Sequence, residues 1–390
     1  MTSEKRRVVF FGHALLPGEL STSLINRRLT EVGAKWGQSE GISWLRFRFV
    51  PPSDLGGKEV EVEIVVIPLF AKPFFTSCVK GEAYGWVEKA ALQAIKRAEE
   101  DRVSHLVLGW GALTKEAMKH GVTFREQHPV LPEWVSSTHG DAGTAALVLQ
   151  AMKEAEVGPG DNIVVIGANG AIGDAVSRSL PTLGPAKIIL VGKPDKEGEF
   201  KNKERLKDLQ ERLIIVPGSG TQVSISQDKT RACHDHASTV VVVATTAMGL
   251  SPKEIPERVV VYDITTPSAC QPVSSECNGW DNRLVLVSGC GQFDPGTIPD
   301  GLGSIGGEVL FDVGAGGKNV VWGCLGETIA RAAFGWRGHL TGQDIPLQEL
   351  TWSMTCFAAM GFIPQTPVSF GQPYSWEEIR AWRAQQCKRE

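Results

Sequence analysis

The chain has 390 residues, with 43 glycines, eight cysteines and a formal net charge of −4 at pH 7. At about 100–200 residues per domain this length suggests two domains. A hydrophobic fraction of 42% with 22% charged residues excludes an intrinsically disordered chain. No run reaches the ~18 apolar residues of a membrane span, and a pI near 6.1 gives no general reason to expect nucleic acid as a partner. The cysteines form no CxxC pair and the first residues do not resemble a signal peptide, so we expect a reduced cytoplasmic protein without structural zinc.

The first 140 residues alternate between strand-like and helix-like stretches. Runs rich in β-branched and aromatic residues predict strands at Val8–Gly12, Trp44–Val50, Val60–Ile67 and His105–Gly109. Apolar residues at helical spacing predict a helix over Glu82–Glu100. This part of the chain is therefore of the α/β class.

A regular alternation begins with a predicted helix over Asp141–Glu156, where the Asp141 carboxylate is expected to accept hydrogen bonds from first-turn amides. A strand at Ile163–Ile166, a glycine-rich loop and a helix at Ala171–Leu180 follow it. Further strands and helices then alternate at Lys187–Val191, Lys203–Leu213, Thr221–Ile225, Thr239–Ala244, Val259–Tyr262 and Leu284–Val287. This alternation predicts a doubly wound parallel sheet covered by helices on both faces, the Rossmann arrangement.

Three helical patterns close the chain, at Asn319–Trp336, Gln348–Met360 and Ser375–Gln386. They are too few to form a domain of their own, so we expect them to pack on the N-terminal part. The predicted organisation is a Rossmann NADP-binding domain over residues 151–315 and a discontinuous α/β catalytic domain made by residues 1–150 and 316–390.

The loop after the strand Ile163–Ile166 has the spacing GxxGxxG. In a strand–loop–helix unit the first glycine permits the tight turn, the second lets the backbone approach a pyrophosphate, and the third lets the helix pack close to the strand. The free amides of the helix N-terminus then favour phosphate. The alternative is a glycine-rich turn without a ligand. The motif predicts a dinucleotide site whose residues come from this loop: Gly167, Asn169, Gly170, Ala171, Ile172 and Gly173.

The end of the second strand of this unit selects the cofactor, because a carboxylate there binds a ribose 2′-hydroxyl and a cation accommodates a 2′-phosphate. Lys193 comes first after that strand and favours NADPH, whereas NADH is the cofactor if Asp195 takes the ribose. Thr245 and Thr246 follow a later strand, at the carboxyl edge where open α/β sheets bind ligands. This loop and the one at Val261–Pro267 resemble those that face the nicotinamide in shikimate-dehydrogenase-like Rossmann domains.

Cys324 differs in context from the other cysteines. It lies in the first turns of a predicted helix entered from a glycine-rich loop, and Gly323 and Gly326 leave its flanks open. A helix N-terminus lowers a thiol pKa and so favours the nucleophilic thiolate. The alternative is a small buried helix residue. Cys290 is a second candidate, and Cys233 beside two histidines lacks a clear fourth ligand, so no metal site is predicted.

Several runs of the chain, in the same order, match one family. They are Leu108–Thr114, Ser137–Ala145, Ile163–Gly173, Ile188–Val191, Glu204–Gln210 and the Cys324 helix ending Phe334-Gly-Trp336. Over residues ~65–336 the chain resembles the long-chain acyl-(acyl carrier protein) reductases, the cyanobacterial enzymes that form fatty aldehydes.

This resemblance implies an activity in lipid metabolism. Cys324 corresponds to the nucleophile that takes an acyl group from acyl carrier protein or acyl-CoA, and the bound thioester is then reduced by NADPH to an aldehyde. His139 would be a proton donor, and amides near Gly109–Ala112, Thr138 and His139 would stabilise the oxyanion.

Two other functions stay open. One is a shikimate-dehydrogenase-like NAD(P)-dependent alcohol or carbonyl oxidoreductase without a covalent step, and the other is a non-catalytic NADP-binding sensor. Basic clusters suit an acidic carrier protein or a peripheral membrane contact, although solvated surface charge is the simpler interpretation. These clusters are Lys5–Arg7, Arg27–Arg28, Arg46 with Arg48, and Arg380–Arg389. The oligomeric state is not determined by the sequence.

Overall fold

The structure is a computed structural model, and we label the elements in chain order among the residues that it describes. These residues are 4–14, 30, 41–52, 56–192, 203–214, 220–245, 249–265, 268–270, 279–293 and 320–387. None of the helices in these ranges is long and apolar enough to cross a membrane.

The first sheet has five strands. In chain order they are β1 (Arg6–Ala14), β2 (Ile42–Phe49), β3 (Val60–Phe70), β4 (His105–Trp110) and β5 (Val135–Thr138). Their order across the sheet is β2-β3-β1-β4-β5, and all neighbours are parallel except the edge strand β2, which is antiparallel to β3. The alternation of side chains along β1 supplies two cores, because Val8 and Phe10 belong to one cluster and Val9 and Phe11 to another.

Helices cover the face of this sheet that carries Val9 and Phe11. Buried residues of α1 (Ala71–Lys80) and α2 (Glu82–Glu100) belong to the same cluster as these strand residues. The short helices α3 (Thr114–Ala117) and α4 (Val122–Gln127) follow strand β4. The chain thus returns to the carboxyl edge of the sheet immediately before α3, at the point where the site described below begins.

The second sheet has six parallel strands. They are β6 (Asn162–Ile166), β7 (Lys187–Val191), β8 (Gln222–Ser226), β9 (Val240–Val243), β10 (Val260–Asp263) and β11 (Leu284–Val287). Their order is β8-β7-β6-β9-β10-β11, which is 3-2-1-4-5-6 when counted within the sheet and is the Rossmann order. The predicted fold class is confirmed.

Helix α5 (Asp141–Glu154) joins the two sheets and is apolar almost all round, as expected of a helix buried on every side. The helices that follow strands of the second sheet are α6 (Ala171–Ser179), α7 (Lys203–Ile214) and α8 (Lys229–His234). One continuous core includes residues of α5 together with residues of both sheets.

The C-terminal part begins with a small antiparallel sheet of β12 (Cys290–Gln292), β13 (Val320–Trp322) and β14 (Ile363–Pro364). Three helices follow β13, and a two-stranded ribbon stands before the last of them. These elements are α9 (Gly323–Ala333), α10 (Leu347–Met360), β15 (Val368–Ser369), β16 (Gln372–Pro373) and α11 (Trp376–Cys387).

The predicted helix over Asn319–Trp336 is wrong at its start. Val320 and Val321 belong to a strand, because β-branched side chains favour extended backbone and a partner strand lies beside them. The Gly323 amide then donates to the Gly289 carbonyl, and the helix begins at Gly323. This correction moves Cys324 to the second residue of α9.

Helix α9 packs against strands β1 and β4 of the first sheet and against α5. At the end of the described chain, the Arg383 guanidinium donates to the Asp161 carboxylate at 2.7 Å and to the Ala155 carbonyl at 2.9 Å. The C-terminal helix is thus tied to the segment between α5 and β6. The division into residues 1–150 with 316–390 and residues 151–315 stays a prediction.

Candidate active site

A cleft of about 340 Å³ lies where the carboxyl ends of the two sheets face each other. The residues that follow strands β4 and β5 form one wall, and those that follow β6, β9, β10 and β11 form the other. Its lining includes Ala112, Lys115, His120, Asp141, Thr144, Gly167, Asn169, Gly170, Ala171, Ile172, Thr245, Thr265, Ser288, Cys290, Trp322 and Cys324. The predicted dinucleotide loop and the predicted nucleophile therefore border one cavity.

The dinucleotide loop has the tight geometry that its glycines predict. Gly167 has a φ of +86°, and a Cβ there would meet the Thr245 side chain at 2.8 Å. A Cβ on Gly173 would lie 2.3 Å from the Gly167 carbonyl oxygen, so Gly173 sits beneath the loop and does not line the cleft. Helix α6 begins at Ala171 immediately after Gly170, and both residues line the cleft. A helix N-terminus that opens on a cavity beside a Cβ-free backbone fits a pyrophosphate.

Of the other predicted cofactor residues, the structure describes only Thr245. Thr245 lines the cleft at the end of β9. Lys193, Asp195 and Thr246 lie outside the described residues. The preference for NADPH over NADH stays a prediction.

Cys324 is 9% exposed and lies on the wall opposite the dinucleotide loop. Gly140 makes this position possible, because a Cβ on Gly140 would lie 2.3 Å from the Cys324 Cβ. The expectation of a lowered thiol pKa is wrong, since burial raises the pKa of Cys324 to about 12. The Lys115 ammonium and the Leu325 amide act in the opposite direction and lower it. The helix end therefore helps the thiolate, but burial outweighs it.

Lys115 and Asp141 form an ion pair on this wall. The Lys115 Nζ lies 2.5 Å from the Asp141 Oδ1, with side-chain exposures of 21% and 1%. Burial opposes both charges, yet Asp141 raises the pKa of Lys115, and Lys115 helps to hold the pKa of Asp141 well below its usual range. The pair is therefore ionised at neutral pH. Asp141 was expected to accept first-turn amides of its own helix, but no side-chain cap forms because its oxygens face Lys115 and two histidines.

His120 and His139 contact the other oxygen of this carboxylate. Their Nδ1 atoms lie 3.2 Å and 3.1 Å from the Asp141 Oδ2, and the two rings meet edge to face at 5.4 Å. His120 lines the cleft, whereas His139 is fully buried and does not. The Nε2 of His139 has no hydrogen-bond partner among the described residues. The role of His139 as a proton donor stays a prediction, whereas the Lys115 ammonium and the His120 ring line the cavity.

These three groups also have the composition of a metal site. Ligand atoms of His120, His139 and Asp141 lie within 4.8 Å of one another. The Lys115 ammonium on the same carboxylate opposes a divalent cation, and three ligands fall short of the four of a closed zinc site. We therefore interpret the cluster as a hydrogen-bonded network around Asp141.

Lys115, His120 and Asp141 were missed as site residues by sequence reasoning. The matched run Leu108–Thr114 stops one residue before Lys115, and Asp141 lies inside another matched run. A lysine a few residues after a strand and an acid at the start of a buried helix were the available indications. Their pairing across 26 residues was visible only in the structure.

Three of the basic clusters form ion pairs within the fold, and in one of them Arg46 pairs with the buried Glu63 at 3.1 Å. Arg7 is 4% exposed and pairs with Glu61 and Asp101 at 2.9 Å and 2.7 Å. Arg383 is held by Asp161. Arg27–Arg28 lie outside the described residues. A contact between these clusters and an acidic carrier protein or a membrane stays a prediction.

No family model matches the chain, and no curated protein matches it. Among solved structures, it is similar to quinate dehydrogenase from Corynebacterium glutamicum in complex with NAD, with 12% identity over 98% of this chain and 99% of that one and a TM-score of 0.34. It is also similar to ornithine transcarbamoylase from Giardia lamblia, with 12% identity, 72% and 76% coverage and a TM-score of 0.31. An oxidoreductase/dehydrogenase of unknown specificity from Escherichia coli shows 20% identity over 35% of this chain and 37% of that chain, with a TM-score of 0.25. TM-scores this low do not bear on activity, and the fold assignment rests on the strand order given above.

Proposed function

We propose that this protein is a nicotinamide-dependent oxidoreductase that reduces an acyl thioester to an aldehyde through a thioester on Cys324. One observation carries the proposal: a single cleft is lined by the dinucleotide loop on one wall and by Cys324 with Lys115 on the other. Two reacting groups held across one cavity convert a bimolecular encounter into a positioned reaction.

The acyl group enters by exchange between thiols. The Cys324 thiolate attacks the carbonyl carbon of the donor thioester, and the C–S bond to the donor thiol breaks as the new C–S bond forms. Because burial raises the pKa of Cys324 and Lys115 lowers it, the Lys115 ammonium favours the thiolate at the moment of attack. The departing thiolate takes up the proton that Cys324 lost.

Reduction of the bound thioester needs a hydride, which a reduced nicotinamide dinucleotide supplies when it is held against Gly167 and Gly170. Lys115 is placed to stabilise negative charge on the acyl oxygen and to donate a proton to it, because it lines the cavity beside Cys324. The oxygen returns this proton to Lys115 as the C–S bond to Cys324 breaks, which releases the aldehyde and the Cys324 thiolate. His120 hydrogen-bonds to the same carboxylate as Lys115 and lines the cavity beside it.

The finer parts of this proposal rest on the resemblance and on residues of the sequence. Acyl carrier protein or acyl-CoA is the proposed donor, because the chemistry requires a thioester with a good leaving group. NADPH is the proposed cofactor because Lys193 is the first charged residue after β7.

The experiment is a mass measurement of the intact protein after incubation with acyl-CoA or acyl-(acyl carrier protein) donors of graded chain length, without cofactor. We expect one acyl adduct on the wild type, none on Cys324→Ala, and aldehyde when NADPH is added. The matched control is Cys290→Ala, which removes the other described cysteine on the same cleft and is expected to keep the adduct. An adduct that persists in Cys324→Ala would contradict the proposal.

A second candidate function is supported by the Lys115–Asp141 pair. An ionised ammonium in a cleft, held by a buried carboxylate, can exchange a proton with an alcohol or carbonyl oxygen without any covalent step. An NAD(P)-dependent alcohol or carbonyl oxidoreductase would use it in this way. NAD(P)-linked turnover of an alcohol that survives Cys324→Ala would favour this candidate, and dinucleotide binding without turnover of thioester or alcohol would favour a sensor.

A further inference from the structure

A buried carboxylate lies one turn after Cys324 on α9. Glu327 is fully buried and receives three donors: the Thr138 hydroxyl at 2.6 Å, the Gly143 amide at 2.6 Å and the Arg331 Nε at 2.7 Å. Charge-assisted hydrogen bonds of this length are the strong ones. Glu327 is thus engaged on both oxygens by partners from three different elements.

The ion pair with Arg331 is costly to bury. Arg331 is also fully buried, with its guanidinium over the Trp336 ring at 3.8 Å and a second carboxylate, Glu349, at 2.8 Å from Nη2. Desolvation of two charges largely cancels their attraction, so a buried pair of this kind is weak evidence for stability. Specification of one arrangement is the better-attested use of such pairs.

The two donors other than Arg331 flank the segment that carries the site. Thr138 ends β5 and Gly143 lies in the first turn of α5, so both frame the residues His139–Asp141. On the other side, Glu327 belongs to the helix that begins with Gly323 and Cys324. The carboxylate therefore joins the nucleophile's helix to the segment that holds the Asp141 carboxylate.

The contact between the start of α5 and the start of α9 is tightly packed. A Cβ on Gly143 would meet the Gly323 carbonyl oxygen at 2.4 Å and the Glu327 Cβ at 2.7 Å. A Cβ on Gly140 would meet Cys324 itself. The two helix ends are in backbone contact, and among the described contacts the hydrogen bonds between α9 and the Thr138–Gly143 segment are those to Glu327.

We propose that Glu327 is a positioning residue, which holds the start of α9 against the Thr138–Gly143 segment so that the Cys324 thiol faces Lys115 and Asp141. This inference rests on the proposed function of Cys324 as nucleophile. Glu327 does not line the cleft, and in this proposal it sets the geometry of the attack through the position of α9.

The charged and titratable groups that face the thiol come from four elements. Lys115 comes from α3, Asp141 from α5 and Glu327 from α9 itself, and Cys290 from β12 is the neighbouring thiol. Lys115 lowers the pKa of Cys324, and Asp141 and Glu327 raise it. Removing the Glu327 charge while keeping its shape must therefore shift the thiol titration downward.

The test uses Glu327→Gln, with Glu349→Gln as the matched control. Glu349 is the other carboxylate on Arg331, but no hydrogen bond joins it to Thr138 or Gly143 among the described contacts. Two rates are measured on each full-length protein by intact mass and corrected for the folded fraction: alkylation of Cys324 by iodoacetamide from pH 6 to 10, and acylation by the donor that loads the wild type. Steady-state reduction with NADPH is measured alongside.

For Glu327→Gln we expect two changes of opposite sign. The alkylation profile moves to lower pH because a negative charge near the thiol is gone, whereas acylation and turnover fall by about 10²-fold because the attack geometry is lost. In Glu349→Gln both rates stay near those of the wild type. If the variant only lost part of its folded population, both rates would fall together, and this decrease would disappear after correction for the folded fraction.

Thr138→Val is the second variant, which removes the hydrogen bond from Thr138 to Glu327 together with the one that the Thr138 hydroxyl accepts from the Gly140 amide, and keeps the Glu327 charge. Thr138→Val is expected to slow acylation by a smaller factor than Glu327→Gln does, without moving the alkylation profile. If Glu327→Gln does not fold, the acylation rate of Thr138→Val tests the positioning role of Glu327. Wild-type acylation rates in both Glu327→Gln and Thr138→Val would overturn the proposal, as would equal losses in Glu349→Gln. If no donor acylates the wild type, the function proposed for Cys324 fails, while the alkylation profiles still report whether Glu327 and Thr138 control the thiol.

Discussion

Lys115 is the residue on which the chemistry of the cleft depends most. It lies on a four-residue helix after β4, 21% exposed, with its ammonium on the buried Asp141 carboxylate. Its charge also lowers the pKa of Cys324 against the effect of burial, as does the hydrogen bond from the Leu325 amide. One side chain thus serves both the thiolate and the oxygen of the substrate.

Replacement of this residue should be visible in the thiol as well as in turnover. In Lys115→Met we expect alkylation of Cys324 to shift to higher pH and aldehyde formation to fall by about 10²–10⁴-fold, the range of a lost proton donor. The variant is also expected to lose about 3–5 kcal/mol of stability, because the buried Asp141 carboxylate loses its ammonium partner and keeps only its two histidine contacts.

The double variant Lys115→Met/Asp141→Asn separates these two effects, since it should regain stability but not turnover. The matched control is Lys229→Met, which removes a lysine paired with Glu254 at 2.9 Å and absent from the cleft lining. Equal alkylation profiles in wild type and Lys115→Met would contradict the role of Lys115.

At the scale of elements, the site is made by two helix starts that touch. Helices α5 and α9 begin at Asp141 and Gly323, and glycines at positions 140, 143 and 323 let their backbones approach to contact distance. A side chain at any of these positions would need to occupy space that the neighbouring helix fills. The pairing of thiol and carboxylate is therefore a property of this helix contact.

Gly140→Ala tests the contact directly. A Cβ there would lie 2.3 Å from the Cys324 Cβ, and the residue has a φ of +72°, so α9 must move and the backbone is strained. We expect a loss of about 1–3 kcal/mol, typical of overpacking, and loss of Cys324 acylation measured by intact mass.

The control for backbone strain is Gly160→Ala, at a φ of +91° with no atom within 4 Å of the added Cβ. It should cost about 1 kcal/mol or slightly more and leave acylation unchanged. If Gly140→Ala behaves like Gly160→Ala in the acylation measurement, the two helix starts are not what positions the thiol.

At the scale of the whole molecule, two histidines lie where the C-terminal segment meets the first sheet, and His339 joins the two. The His339 Nδ1 lies 2.9 Å from the Ser137 Oγ, and the Leu340 amide donates to the Ser137 carbonyl. His105 is fully buried beside Ser136, with its Nδ1 unpartnered among the described residues. Burial lowers the pKa of both histidines to about 4.

These pKa values predict acid sensitivity. A histidine whose pKa is lowered on folding from 6.5 to about 4 stabilises the fold fully above pH 6.5, and that contribution is lost as the pH falls from 6.5 toward 4. Each pKa unit corresponds to about 1.4 kcal/mol in the free energy of unfolding. Urea unfolding at pH 7.5, 6.0, 5.0 and 4.5 should therefore show a steep decline.

The assignment to these two residues is checked by His105→Gln and His339→Asn, which remove the titrating groups. Their free energy of unfolding should be lower than that of the wild type at pH 7.5 and should decline less between pH 6.5 and 4.5. A decline parallel to that of the wild type in both variants would place the acid sensitivity elsewhere.

The sequence by itself determined the α/β class and the bounds of several elements. The strand Lys187–Val191 and the helix Glu82–Glu100 have the predicted bounds, because alternation and helical spacing of apolar residues are local patterns. The dinucleotide loop and Cys324 were also found in the sequence, since glycine spacing and flanking glycines can be seen along the chain.

Only the tertiary structure decided which groups meet. Val320–Trp322 is a strand because Cys290–Gln292 lies beside it and pairs with it. The Asp141 carboxylate contacts Lys115 and not the amides of its own helix, because packing places the ammonium 2.5 Å away. Burial raised the pKa of Cys324 where a helix end alone would lower it. The periodicity of apolar residues that marks a helix or strand is visible in a short stretch of sequence. Ion pairs, desolvation and helix contacts depend on residues that are distant in sequence, and these contacts form the candidate site.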